Sequence, residues 1–235
     1  MKNNLKSMLS YFSVSERILW CSSVLLIVVS FLLFDRTNIL TLTASLIGVT
    51  SLIFCAKGNP FGQVLMIVFS LLYGIISYSF SYYGEMITYL GMTAPMAVFA
   101  LVSWLKNPYQ GDRSQVKVNS LSRKEVLLMW VLTAVVTAGF GFLLNALGTE
   151  NLIPSTISVA TSFLAAYLTF RRSACFALAY AANDVVLVVL WGMATAQDVS
   201  YLSVVICFAV FLANDIYGFF SWAKMKKRQS GKAQA

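Results

Sequence analysis

The sequence reads as an all-α integral membrane protein that crosses the bilayer eight times. Of its 235 residues 59% are hydrophobic and 11% charged, and the mean hydropathy is +0.76, far from the balance of soluble domains. Eight apolar segments of the length a span needs, roughly 20 residues, take up most of the chain: 18–34, 39–56, 61–83, 86–105, 126–148, 152–170, 174–194 and 200–222. Charge is distributed across them with one sign. If the amino terminus is cytoplasmic, 16 of the 17 Lys and Arg residues lie in the cytoplasmic segments 1–17, 57–60, 106–125, 171–173 and 223–235. Only Arg36 falls outside, with Asp35, Glu85, Glu150 and Asp198. That is a positive-inside pattern, and it sets both termini in the cytoplasm. Seven spans would put one basic cluster, at Lys2, Lys6 and Arg17 or at Lys224–Lys232, on the wrong side.

The first span has the charged lead of a secretory signal. No small-residue cleavage site precedes Asp35-Arg36, and another span follows at once, so it reads as a retained helix. The second ends at Lys57-Gly58-Asn59. The third, FGQVLMIVFSLLYGIISYSFSYYGE, carries Gln63 near its cytoplasmic mouth, Tyr73 near mid-depth, and Tyr82 and Tyr83 at the outer aromatic belt. The fourth ends in Ser103-Trp104-Leu105-Lys106. The sizeable loop 106–125, with Pro108 and Gly111, reads as a cytoplasmic linker. The sixth ends at Arg171-Arg172-Ser173 and the eighth at Ser221-Trp222-Ala223-Lys224.

These endings reveal a repeat. Trp104 and Trp222 are 118 positions apart, and Lys57 and Arg171 are 114 apart. Spans two to four therefore correspond to spans six to eight. A repeat of three spans inverts its second copy unless one linking helix restores the direction, which is the role of span five. The expected architecture is one amino-terminal helix plus a 3+1+3 parallel duplicated bundle of the SWEET type, with substrate near the midplane between repeats. The divisions are 1–36 for the extra helix, 37–107 and 149–224 for the two triple-helix bundles, 108–148 for the loop and linker helix, and 225–235 for a basic tail.

Polar residues inside the spans mark the candidate site, because an Asp in lipid costs about 3 kcal/mol even on lenient scales. Asn183-Asp184 and Asn214-Asp215 each lie within an apolar span, and each Asn is followed eight residues later by a tryptophan. Helical spacing aligns Asn183, Asp184, Leu187 and Trp191 on one stripe, and Asn214, Asp215, Gly218 and Trp222 on another. Amide and carboxylate groups suit hydroxyls, and an indole face suits a flat, cationic ring. The competing reading is polar glue between helices. Trp222, at the end of its span, reads as an interfacial anchor. Tyr73 aligns with Leu187 in the repeat and completes, with Gln63, the set of candidate substrate-binding residues.

Other chemistries lack their motifs. There is no phosphate loop, no HExxH and no G-x-S-x-G. There is no histidine, and Cys21, Cys55, Cys175 and Cys207 show no metal spacing and sit inside spans, so neither disulfides, a metal, a cofactor nor catalytic residues are expected. The net charge of +8 is explained by topology rather than nucleic acid. A membrane enzyme on a lipid phosphate would need clustered acids, whereas Asp184 and Asp215 are 31 positions apart.

The segments NDVVLVVLW (Asn183–Trp191) and NDIYGFFSWAKMKKRQ (Asn214–Gln229) resemble those of the PnuC family of bacterial nicotinamide riboside transporters, as do YGEM (Tyr83–Met86), Pro95-Met96 and WLKN (Trp104–Asn107). The resemblance spans about residues 35–229. It implies a SWEET-like fold in the bacterial cytoplasmic membrane, a homotrimer, facilitated entry of nicotinamide riboside, and trapping by a cytoplasmic riboside kinase. By the same analogy Asn183, Asp184 and Trp191 lie at the riboside site. Thiamine and riboflavin transporters of related fold, and a proton-coupled mechanism, are the alternatives.

Overall fold

The computed structural model describes residues 11–79, 83–149 and 151–231; Lys2, Lys6, Tyr82, Glu150 and Lys232 lie outside them. Among the described residues eight helices are long and apolar enough to cross a membrane. They are α1 (Val14–Phe34), α2 (Ile39–Ala56), α3 (Phe61–Ser79), α4 (Tyr83–Lys106), α5 (Arg123–Ala146), α6 (Leu152–Phe170), α7 (Phe176–Thr195) and α8 (Leu202–Gly231), the last entered through a 3₁₀ turn at Val199–Tyr201.

Local chemistry sets the helix ends. α1 and α5 begin with capping boxes, Ser13 with Glu16 and Ser122 with Glu125, in which hydroxyl and carboxylate each satisfy an end N–H. These boxes start the helices four and three residues before the span starts expected from hydropathy, 18 and 126. The turns after α2 and α6 are built alike. Gly58 (φ 69°) and Arg172 (φ 56°) take the left-handed conformation. The Asn59 and Ser173 N–H groups reach back to Phe54 O (3.0 Å) and Leu168 O (2.9 Å). This is the Schellman closure of a helix end, repeated at the 114-residue offset read from the sequence.

α4 contains a π turn at Thr88–Thr93, flanked by α-helix on both sides. Pro95 follows it at the start of the next segment, where its missing N–H is tolerated. The extra residue of the π turn rotates the helix and sends Tyr89 into the core.

Packing follows the duplication. α2 packs on α3 and α3 on α4; α6 packs on α7 and α7 on α8. Between repeats, α2 meets α8 and α4 meets α6, a reciprocal pairing of first and third helices. Two matched clamps fasten it at the basic end. Trp104 donates its indole N–H to Thr169 O (2.9 Å) and Ser103 its hydroxyl to Phe170 O (2.8 Å). Trp222 donates to Cys55 O (2.8 Å) and Ser221 to Ala56 O (2.7 Å). The two indoles lie 5.3 Å apart at the pseudo-axis. Trp222 is fully buried, so it is an interior clamp and not the interfacial anchor its place in the sequence suggested.

The loop between the halves is more ordered than a plain linker. Pro108–Tyr109 and Asp112–Val116 form a two-stranded hairpin. Its continuation runs across both repeat turns: Val116 N–H donates to Gly58 O and Asn119 N–H to Arg172 O, both at 2.9 Å. α8 continues as helix past the expected end of its span and holds this strap. Gln229 accepts from Val118 N–H (2.8 Å) and donates to Val116 O (3.1 Å). The segment read as a basic tail is therefore helical to Gly231 and part of the packed end. α1 lies against α2 and α8, outside the duplicated core.

Candidate functional site

The polar and aromatic residues of the spans fall into three layers along the bundle. On the side away from the basic end, a cavity of about 300 Å³ opens between α3, α7 and the loops after α1 and α7. That is the lower end of the range for small-molecule sites. Tyr73 and Trp191 form its inner wall, with Thr41, Asn38 and Tyr201 around them. The Trp191 and Tyr201 rings are 5.5 Å apart. Asp35 and Asp198 stand at its mouth, and no Lys or Arg is among its described lining residues. Asp198 accepts from Ser200 N–H (2.8 Å). The Ser200 backbone N–H, then its hydroxyl, hold the Asp198 carboxyl below the usual carboxylate range, so it is ionised at neutral pH.

Inward of the cavity is an aromatic layer. Tyr73 packs, with tilted or edge-on rings, against Tyr89 (4.7 Å), Phe69 (5.3 Å) and Phe208 (6.0 Å), and Phe69 meets Phe211 (5.7 Å). Leu187 and Trp191 belong to the same buried cluster. Gly48 permits this convergence: a Cβ there would stand 2.5 Å from Phe211 Cζ and 3.0 Å from the Phe69 ring.

Beneath it lies the polar layer of the two Asn-Asp pairs. Asp184 on α7 and Asp215 on α8 are both buried and lie close to each other. Asp184 Oδ2 has no hydrogen-bond partner among the described residues. The asparagines turn away from this pair. Asn183 Oδ1 accepts from Thr161 (2.8 Å) and Ser162 (3.0 Å), with Ser158 at 3.4 Å, and so ties α7 to α6. Asn214 donates to Ser23 on α1 (2.9 Å) and to Val210 O. Gln63 sits deeper, donating to Cys55 Sγ at 3.2 Å.

The structure thus brings Tyr73 and Trp191 together at one chamber, with Leu187 in the buried cluster next to it and Asp184 and Asp215 behind. It sets Asn183 and Asn214 in helix contacts and Gln63 toward the basic end. Sequence reasoning missed Phe69, Tyr89, Phe208, Phe211 and Tyr201. Two were within reach: the stripe of Trp222, Gly218 and Asp215, continued toward the amino end of α8 at the same spacing, passes through Phe211 and Phe208.

Comparison with known proteins agrees with this architecture. A crystal structure of the vitamin B3 transporter PnuC superposes with a TM-score of 0.80, covering 93% of this chain and 94% of that one at 23% identity. The nicotinamide riboside transporter PnuC of Neisseria mucosa is 25% identical over 203 residues, 85% of this chain and 77% of the relative. That of Haemophilus influenzae is 23% identical over 194 residues, 80% of this chain and 81% of the relative. The model of the nicotinamide mononucleotide transporter family matches residues 38–224, both repeats and the linking helix together, and the chain belongs to that family.

Proposed function

We propose that this protein carries nicotinamide riboside across the bacterial cytoplasmic membrane by facilitated diffusion. The observation that carries the reading is the outer cavity: aromatic at its inner wall, acidic at its mouth and without a base among its described lining residues. A pyridinium is attracted by indole and phenol faces and by Asp35 and Asp198, while ribose hydroxyls find Asn38, Thr41 and Tyr73. A nucleotide bearing a phosphate fits poorly. Its charge needs cations or converging N–H groups, and the described lining offers two carboxylates instead. The relatives named as riboside carriers support the same choice over the mononucleotide of the family description.

In this reading the face holding the start of α1 and the end of α8 is cytoplasmic, the substrate enters past Asp198 and Trp191, and a cytoplasmic riboside kinase traps it. Asn183 and Asn214 serve the site by fixing the helices that carry Asp184 and Asp215. The homotrimer rests on the family resemblance alone.

Proteoliposome uptake of labelled nicotinamide riboside tests the proposal, with the mononucleotide, thiamine and riboflavin as parallel competitors. Only unlabelled riboside is expected to compete at low concentration; competition by the mononucleotide alone would transfer the assignment to it. One observation favours a second reading. The Asp184 and Asp215 carboxyls are buried close together in the membrane interior and are a candidate proton carrier. With membrane potential clamped, because a cation gains roughly 2.3 kcal/mol per 100 mV, uptake should stop at the outside concentration whatever the pH gradient. Gradient-driven accumulation that Asp184→Asn abolishes would establish symport.

A further inference from the structure

We propose that the groove between the start of α1 and the end of α8 binds the phosphate headgroup of an anionic phospholipid, independently of what the protein transports. The groove has a volume of about 1100 Å³ and lies at the basic end of the bundle. Its order of residues is that of a lipid molecule. On α8, Ile216 and Phe220 are exposed, and Lys224 follows at the next helical position with Lys227 and Arg228 one turn beyond. Val14 and Ile18 at the start of α1 are exposed as well. The depth is fixed by Ser221, whose hydroxyl bonds the last carbonyl of α2. The lysines therefore begin where the apolar span ends, at headgroup level.

The groove is net positive: Lys57, Lys224, Lys227 and Arg228 line it against Glu16 and Asp112, an excess of two positive charges. Glu16 is spent on Lys57, at 3.1 Å. Asp112 accepts from Ser114 N–H at 2.8 Å, and Arg228 is held by Gln115 at 2.7 Å. Lys224 and Lys227 have no acidic partner among the described residues. A soluble phosphate compound could use the two ammonium groups but would gain nothing from the ridge of Ile216 and Phe220. Juxtamembrane lysines each add about 1 kcal/mol of attraction to an anionic leaflet, and here two are presented by a rigid helix beside an apolar wall.

Native mass spectrometry of the full-length protein in detergent tests this, using phosphatidylglycerol and phosphatidylcholine of identical acyl chains. Wild type should retain phosphatidylglycerol at least tenfold better. Lys224→Gln with Lys227→Gln should weaken that retention roughly thirty-fold, while Lys224→Arg with Lys227→Arg keeps it. Lys106→Gln with Lys124→Gln, which neutralises two lysines outside the groove, should leave it unchanged. Equal retention of the two lipids, or undiminished retention in the Gln pair, would overturn the proposal. So would displacement of phosphatidylglycerol by millimolar glycerol 3-phosphate, which would reassign the groove to a soluble phosphate. If the Gln pair cannot be purified, Phe220→Ser carries the test: it should lower phosphatidylglycerol retention, and no loss would sink the apolar-wall argument.

Discussion

Trp191 and Trp222 each follow an Asn-Asp pair at the same spacing, yet burial divides their roles. Trp191 lines the outer cavity beside Tyr201. Trp222 is sealed between Trp104 and Phe176, its N–H spent on Cys55 O. Trp191→Ala should therefore raise the dissociation constant for nicotinamide riboside about thirty-fold, the equivalent of a desolvated cation–π contact of about 2 kcal/mol. Trp222→Ala should instead cost about 3–5 kcal/mol of stability, read as a large drop in melting temperature, with affinity in the surviving folded fraction near wild type. Calorimetric titration and thermal melts on both variants separate the two roles, and equal riboside affinities for the pair would remove Trp191 from the site. Acidity at the mouth gives a second test. Asp198 titrates below its ordinary value of 3.8 because its charged form is held by Ser200. A depressed carboxylate keeps its charge, and the cap it makes, above that value and loses both only as pH falls through its lower folded value. Riboside affinity should hence stay flat from pH 8 to about 5. A tenfold loss already at pH 6 would show that another group, not Asp198, governs binding.

Helix spacing makes some of this legible and hides the rest. Spans two to eight could be read from hydropathy because lipid forces every spanning backbone into helix, and their ends agree with the structure to within a few residues where Gly58, Arg172 or a Ser-x-x-Glu box fixes them. The stripes of Asp184, Leu187, Trp191 and of Asp215, Gly218, Trp222 were legible as well. What a single helix cannot disclose is which neighbour each edge meets. Asn183 lies one residue from Asp184, and that step of about 100° turns it onto the hydroxyls of Thr161 and Ser162. The aromatic layer was hidden for a different reason: Phe and Tyr in an apolar span look alike whether they face lipid, core or ligand. The π turn that delivers Tyr89 depends on packing against α3, and π turns gather at functional places. Gly48 gives this element-level picture a measurable edge. Gly48→Ala would place a methyl carbon 2.5 Å from Phe211 Cζ, so the aromatic layer must shift. Overpacking of that kind costs about 1–3 kcal/mol. The variant should melt lower and bind riboside more weakly, whereas Gly192→Ala, where nothing lies within 4 Å, should change neither.

For the whole molecule, the reciprocal clamps and the strap act at one end only. Trp104 and Trp222 tie each repeat to the first helix of the other, and residues 116–119 cross both repeat turns. The cavity lies at the opposite end. A carrier fastened at the basic end and open at the other presents its site to one side, and passage requires those clamps to part. The proposed orientation rests on charge: 16 of 17 cations lie in the segments assigned to the basic face, and translocating any of those clusters is opposed during insertion. The test needs a cysteine-free background, since Cys21 and Cys175 are exposed. A single cysteine at Ser200, beside the cavity, should react with a membrane-impermeant maleimide in intact cells. A cysteine at Ser230, on the strap side, should react only after permeabilisation. Bound nicotinamide riboside should slow labelling at Ser200 and leave the rate at Ser230 in permeabilised cells unchanged. Labelling of Ser230 in intact cells would invert the molecule, make the cavity a cytoplasmic exit, and require the acidic mouth to release the cation rather than gather it.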